Sequence, residues 1–259
     1  MYVKIMKKLR PAPDNRISKA PLKERILAKL RTFPKFSTLL RHAMPILLYL
    51  VFYFSWFTYL ERREIKLDYL IHVRLDDFIP FNKYFVIPYY LWFGYVFFSA
   101  VYFLITNSRD FKKLYAFLTT GMTAFLLIST LWPNGHNLRP LVFDDSGFCG
   151  QLVRSLYSAD TPTNLWPSIH VYNSLGVHFA VMHSEHLRRK HPVRILSGIL
   201  CLSIILSTMF LKQHSVFDVV LAILFAVVMY YFIYVLDLIQ LVVNERIARR
   251  QEKRHVRVS

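Results

Sequence analysis

The sequence predicts an all-α protein, an integral membrane bundle of six transmembrane helices. Its 259 residues are 54% hydrophobic and 16% aromatic, and the mean hydropathy is +0.32. This composition is more apolar than that of a typical soluble domain. A spanning helix needs roughly 20 mostly apolar residues, and neutral flanking residues extend the shorter apolar blocks to that length. Six blocks contain no Lys, Arg, Asp or Glu: residues 43–60, 84–106, 114–132, 169–182, 195–211 and 219–236.

The formal net charge is +17, and most of the Lys and Arg residues that produce it flank these blocks. Twelve Lys and Arg residues precede residue 43 and six follow Asn244, and further basic clusters at 109–113 and 188–194 lie between blocks. Because Lys and Arg concentrate on the cytoplasmic side of membrane proteins, we expect both termini in the cytoplasm, and a lipid bilayer rather than nucleic acid as the partner. The predicted organisation is a basic cytoplasmic segment at 1–42, a membrane domain at 43–243 and a basic cytoplasmic tail at 244–259.

The long connection at 133–167 follows the third block and, in this topology, faces outward. It is rich in turn residues around a stretch at 148–157 with a helical pattern. A loop of this length is either a lid that contacts substrate or a plain extracellular connection.

Ionisable residues open the fourth and sixth blocks. The fourth begins with Pro-Ser-Ile-His, which ends at His170, and His214 precedes the sixth with Asp218 four residues later. A spacing of four places an imidazole and a carboxylate on one helix face. We therefore predict His214 as a nucleophile oriented by Asp218 and His170 as a general acid. Taken alone, each group has a structural alternative, namely a satisfied histidine–aspartate pair or a capped helix start.

Together these pieces resemble the type-2 phosphatidic acid phosphatase family. Its pattern is a lysine followed seven residues later by Arg-Pro, then Pro-Ser-Gly-His, then Ser-Arg with a histidine six residues after the arginine and an aspartate four beyond. The resemblance covers residues 131–220 and implies a six-helix membrane enzyme without a cofactor or metal. The matching residues, in order and spacing, are Arg139-Pro140, the stretch 167–170, Ser207, His214 and Asp218.

The resemblance also implies the roles of these residues. Phosphoryl transfer would pass through a phosphohistidine on His214, with His170 as general acid and base and Asp218 orienting the nucleophile. Arg139 and Ser168 would hold the phosphate. The expected enzyme is a phosphatase acting on a lipid phosphate or pyrophosphate, with a phospholipid or an isoprenoid phosphate as substrate, at the outer leaflet of the bacterial cytoplasmic membrane.

Three positions depart from the family pattern. Trp132 stands in place of the lysine, Ile169 in place of the glycine and Thr208 in place of the arginine. Two phosphate-binding cations are therefore missing, and Lys212 is the candidate to supply one. The sequences Pro-Ser-Ile-His and His-Ser-x-x-Asp are similar to the branch that includes inositol phosphorylceramide and sphingomyelin synthases. This branch implies the alternative activity, transfer of a phospho-headgroup from a phospholipid to a lipid hydroxyl.

Two other readings stay open. A zinc site formed by His170, His214 and Asp218 is geometrically possible, whereas the spacings typical of membrane di-iron enzymes are absent from the sequence. A non-catalytic lipid transporter is the other, because six spans with charged groups at a membrane face would also fit a permeation path. However, the candidate ionisable residues gather at one predicted membrane face and do not follow a path through the core.

Overall fold

The computed structural model describes residues 36–63, 69–242 and 244–245. Most of the predicted N-terminal segment at 1–42 and of the tail at 244–259 lies outside these residues. The described chain is mostly helical, as predicted. Its helices are α1 (Phe36–Arg62), α2 (Arg74–Phe78), α3 (Val86–Thr106), α4 (Ser108–Leu131), α5 (Gly147–Ala159), α6 (Ile169–His183), α7 (His191–Phe210) and α8 (Val216–Tyr230).

Four shorter elements accompany these helices. A 3₁₀ turn at Lys83–Phe85 leads into α3, and a π turn at Tyr231–Val235 extends α8. The two-residue strands β1 (Tyr69–Leu70) and β2 (Asn134–Gly135) pair in parallel. This pairing ties the segment after α1 to the start of the loop that follows α4.

Five of the described helices are long and apolar enough to cross a membrane, which fits an integral membrane protein. These candidate spans are Ala43–Arg62, Lys83–Thr106, Ser108–Leu131, His191–Phe210 and Val216–Val235. The remaining predicted block forms α6, which has only 15 residues, about 22 Å at 1.5 Å per residue.

Helix α6 occupies the centre of the bundle. It packs against α3, α4, α7 and α8, and nine of its residues are buried. A helix enclosed by other helices does not need the continuous apolar surface that lipid contact demands. This position explains why the fourth block is the least apolar of the six in the sequence.

Helices α6 and α8 run alongside each other from one end of the bundle to the other. Near their first residues, the rings of His170 and His214 face each other at 6.1 Å between centroids. Near their last residues, His183 Nε2 lies 3.2 Å from the hydroxyl of Tyr230. We call the end that contains His170 and His214 the site end, and the opposite one the basic end.

Candidate active site

Two histidines from separate parts of the chain meet at the site end. Their ring centroids are 6.1 Å apart and their planes are inclined by 56°. Each side chain is only 8% exposed. His170 lies in the first turn of α6, and His214 lies two residues before the start of α8. The two rings are thus close enough to act on opposite sides of one small group.

Asp218 joins His214 through the local fold of the α8 N-terminus. Ser215 is the N-cap of α8, and its backbone N–H donates to Asp218 Oδ2 at 2.9 Å. The same oxygen lies 3.4 Å from His214 Nδ1. If Nδ1 carries the proton, Nε2 presents its lone pair, which is the tautomer a nucleophile needs.

His170 lies in an aromatic enclosure. Its ring centroid is 4.4 Å from that of Tyr89 and 4.3 Å from that of Trp92, both on α3. No described protein atom forms a hydrogen bond with the buried His170 Nδ1. Ser168 is the N-cap of α6, and its side chain accepts a long hydrogen bond of 3.5 Å from Val171 N–H. Ser168 thus has a structural role, at a helix N-terminus where the dipole favours anions.

The segment that carries His214, residues 211–215, is called the nucleophile loop below, after the predicted role of His214. The carbonyl of Thr208 accepts hydrogen bonds from the backbone N–H groups of Gln213 and His214, at 2.9 and 3.0 Å. Lys212 adopts a left-handed conformation with φ of 52°, so the chain turns tightly out of α7. Thr208, which stands where the family pattern has arginine, therefore supports the loop through its backbone carbonyl.

The connection at 133–167 also holds this loop in place. The hydroxyl of Tyr157, on α5, donates to the Leu211 carbonyl at 2.7 Å. His136 Nε2 lies 3.0 Å from the Gln213 carbonyl. The helical pattern predicted at 148–157 is confirmed as α5, Gly147–Ala159. The connection therefore contacts the segment that carries His214.

The two predicted phosphate-binding cations differ in their contacts. Arg139 donates to the side-chain oxygen of Gln213, and its guanidinium lies over the Tyr157 ring at 4.3 Å. Arg139 thus lies beside the nucleophile loop. Lys212 Nζ instead donates to the backbone carbonyl of Asp76 at 2.7 Å. The predicted phosphate ligand Lys212 therefore holds α2 against the loop in this structure.

Sequence reasoning missed a second carboxylate, Asp160, at the end of α5. The Tyr89 hydroxyl lies 3.4 Å from Asp160 Oδ2. Desolvation, followed by the negative charge of Glu61, raises the pKa of Asp160, whereas His214 and Arg139 act in the opposite direction. Asp160 stands in a turn-rich sequence, and no spacing rule connects it to the histidines.

Asp76 and His136 were also missed. Asp76 is 3% exposed and His136 likewise 3%, and both contact the nucleophile loop. Asp76 is one of several acidic residues in the connection after the first block, and nothing in the sequence distinguishes it from its neighbour Asp77.

The zinc site that the sequence left open has no support in the part of the chain that the structure describes. No group of three or more His, Cys, Asp or Glu side chains there is arranged to hold a metal ion. The imidazole of His178 contacts the hydroxyl of Ser197, and that of His183 contacts the hydroxyl of Tyr230.

No protein-family model matches the chain, and the comparisons with curated proteins and with solved structures found no match either. Conclusions about function therefore depend on the residues and geometry of the site end.

Proposed function

We propose that the protein is a membrane enzyme that removes or transfers the phosphate group of a lipid through a phosphohistidine on His214. The observation that carries this proposal is the pair of buried histidine rings, 6.1 Å apart, with Asp218 beside one of them. Nucleophile, orienting carboxylate and general acid are the groups that such a transfer needs. The resemblance to the type-2 phosphatidic acid phosphatase family supports the same roles.

In the first step, the Nε2 lone pair of His214 attacks phosphorus, and the bond from phosphorus to the leaving oxygen breaks. His170 gives its proton to that oxygen, while Asp218 stabilises the charged His214 ring. In the second step, water or an acceptor hydroxyl attacks the phosphohistidine. His170 takes the proton of the attacking oxygen, the P–N bond breaks, and His214 regains its lone pair. A bound phosphate group favours the protonated form of His170 that the first step requires.

The second candidate function is that of a lipid phosphotransferase, which takes the phosphate group from a phosphodiester donor. The charges around the site favour such a donor. Arg139 is the predicted cation beside the nucleophile loop, whereas Lys212 Nζ contacts the Asp76 carbonyl. Asp160 lies within electrostatic reach of Arg139 and opposes its charge. A monoester dianion needs more positive charge than a diester monoanion, so this balance suits a diester comparatively well.

The proposed enzyme crosses the membrane six times, with the site end outward. Helix α6 accompanies α8 from the level of His214 to that of Tyr230, and α8 with its π turn is a 20-residue candidate span. Arg109, Lys113 and Asp237 meet at the opposite end, where a positive cluster favours the cytoplasmic side. The transporter alternative lacks such support, because the paired histidines lie at one end of the bundle.

Covalent capture tests the proposal. Purified protein incubated with phosphatidic acid labelled with ³²P at its phosphate should form an acid-labile, base-stable phosphoenzyme. His214→Ala should form none, and His170→Ala should form it about 10²–10⁴-fold more slowly. A substrate with a good leaving group should reduce the His170→Ala defect. His186→Ala, exposed and at the basic end, is the control. A phosphoenzyme that persists in His214→Ala would contradict the proposal.

A donor comparison separates hydrolysis from transfer. Phosphatidic acid, a prenyl pyrophosphate and a phosphoinositide are assayed with and without ceramide or diacylglycerol. A transferase should form a new phospho-headgroup lipid only when the acceptor is present. Rapid phosphate release from the monoester or the pyrophosphate, with no acceptor product from any donor, would leave a lipid phosphatase.

A further inference from the structure

A buried carboxylate on α2 contacts the start of α8 across a large sequence distance. Asp76 Oδ2 accepts a hydrogen bond from Ser215 Oγ at 2.6 Å, and Oδ1 accepts one from Val216 N–H at 2.8 Å. The backbone N–H of Val73 also donates to Oδ2, at 2.9 Å. Asp76 is 3% exposed. A carboxylate buried in this way costs free energy unless it accepts several hydrogen bonds, as this one does.

These contacts continue to the proposed nucleophile. Ser215, which donates its hydroxyl proton to Asp76, also gives its backbone N–H to Asp218 Oδ2. That oxygen is the one that lies beside His214 Nδ1. The position of Ser215 therefore determines where the Asp218 carboxylate lies relative to the His214 ring.

A second contact joins the same two segments. Lys212, two residues before His214, donates from Nζ to the Asp76 backbone carbonyl at 2.7 Å. The nucleophile loop is thus attached to α2 on both sides of His214, through Lys212 before it and Ser215 after it. Helix α2 has only five residues, so its side chains contribute little to the bundle core, and this bracing is its main set of polar contacts to the site.

We propose that Asp76 is a positioning residue that fixes the His214–Asp218 pair from outside α8. This inference rests on the proposed function for its catalytic consequence, but the geometric part stands on the hydrogen bonds alone. Asp77 provides a matched control. It is the next residue on α2, but its side chain is 63% exposed and pairs with His72.

The experiment compares Asp76→Asn with Asp77→Asn. Asn retains the shape of Asp but turns one acceptor into a donor. In either orientation of the amide, that donor would face a backbone N–H, that of Val73 or that of Val216. We expect Asp76→Asn to lower the rate of phosphoenzyme formation and kcat per folded molecule by about 10- to 100-fold, as for loss of a supporting group, with KM within about twofold. Asp77→Asn should match the wild type. An equal kcat per folded molecule in Asp76→Asn would overturn the inference.

A second measurement needs no substrate. The His214 Nδ1–H proton resonance, assigned by its loss in His214→Ala, should shift or broaden in Asp76→Asn and stay in place in Asp77→Asn. An unchanged resonance in Asp76→Asn would overturn the inference whatever the enzyme activity. If the wild type forms no phosphoenzyme while the resonance shifts, the proposed function fails and the positioning by Asp76 stands. Ser215→Ala, which removes the 2.6 Å contact, serves if Asp76→Asn does not fold.

Discussion

At the residue scale, His136 illustrates how a buried imidazole can serve the site without taking part in chemistry. Its Nδ1 accepts a hydrogen bond from Leu138 N–H at 3.2 Å, so the proton lies on Nε2, which donates to the Gln213 carbonyl. Both ring nitrogens are therefore satisfied in the neutral form. Protonation would remove the acceptor that Leu138 uses and place a charge in a desolvated position.

This arrangement predicts a loss of stability in mild acid. Desolvation lowers the pKa of His136 to about 4, while in the unfolded chain the pKa is about 6.5. As the pH falls from 6.5 toward 4, the unfolded state binds a proton that the folded state does not. The free energy of unfolding should therefore fall by up to about 3 kcal/mol in this window. Thermal unfolding in detergent, measured from pH 7 to pH 4, checks this expectation.

The matched variants for this measurement are His136→Gln and His191→Gln. Gln at 136 does not titrate, so the variant should lose this part of the pH dependence, even though it is less stable at neutral pH. His191 is exposed at the first position of α7, and its replacement is the control for loss of a histidine at the surface. Identical pH profiles for the wild type and His136→Gln would contradict the assignment.

The residues of the site differ in how far the sequence could predict them. The contact between His214 and Asp218 follows from a local spacing of four, and the structure confirms their proximity. The approach of His170 to His214 is a long-range contact, which local periodicity does not encode. The predicted topology put both residues at one membrane face, and the family resemblance suggested that they act together. Asp160 and Asp76 lie in turn-rich or acidic segments whose patterns fit many exposed residues. Neither the burial of Asp76 nor the approach of Asp160 to Tyr89 could therefore be anticipated.

At the element scale, the close packing of α4 and α6 determines where the His170 turn lies. The Tyr172 ring stacks on Phe117 with centroids 4.5 Å apart, and its hydroxyl donates to the Phe117 carbonyl at 3.0 Å. Gly121 on α4 and Gly176 on α6 leave room for these two rings. Small residues allow helices in a membrane to approach closely. Tyr172 is two residues after His170, so its position bears directly on the site.

We therefore expect Gly121→Ala to destabilise the protein. The added Cβ would overlap ring carbons of Tyr172, and that ring cannot yield easily because it also stacks on Phe225 at 5.1 Å. Overpacking of this kind typically costs about 1–3 kcal/mol. The free energy of unfolding of the detergent-solubilised protein is the quantity to measure.

Gly94→Ala, on α3, is the control for this substitution. There the new Cβ would meet only Phe98, at 3.6 Å, an ordinary van der Waals contact. Helix propensity alone should then make Gly94→Ala neutral or stabilising by up to about 1 kcal/mol. Equal effects of the two substitutions would show that α4 and α6 are not closely packed at Gly121.

The elements themselves were predicted unevenly. The apolar blocks gave five long helices because composition and length alone identify them. Helix α5 was anticipated from its pattern inside the loop. Helix α2 was not, because a five-residue helix held by a buried Asp76 contact has no periodic signal. Helix α6 is short because it begins directly after its N-cap, Ser168, and ends at His183.

At the scale of the whole molecule, the candidate catalytic residues and a cluster of basic residues lie at opposite ends of the described bundle. The paired histidines and Arg139 lie at the site end. At the basic end, Asp237 pairs with Arg109 and, at 3.0 Å, with Lys113. The sequence predicted this separation from the Lys and Arg clusters alone. The proposed orientation in the membrane depends on the same asymmetry, since basic residues tend to be retained in the cytoplasm.

Cysteine labelling tests the orientation and the number of crossings together. Ser158 on α5 and Arg189 between α6 and α7 are both exposed, so a cysteine at either position is accessible without disturbing the core. The background carries Cys149→Ser, because Cys149 is partly exposed, whereas Cys201 is buried. In intact cells, an impermeant maleimide should label Ser158→Cys, and Arg189→Cys only after permeabilisation.

Each alternative gives its own pattern, because α6 separates the two positions in the chain. If α6 crosses the membrane, Ser158 and Arg189 lie on opposite sides, and only one of them is labelled in intact cells. Equal labelling of both would mean that α6 does not cross and that the described chain has five spans. Labelling of Arg189→Cys alone would keep the six spans but turn the paired histidines toward the cytoplasmic leaflet. The lipid substrate would then have to come from that leaflet.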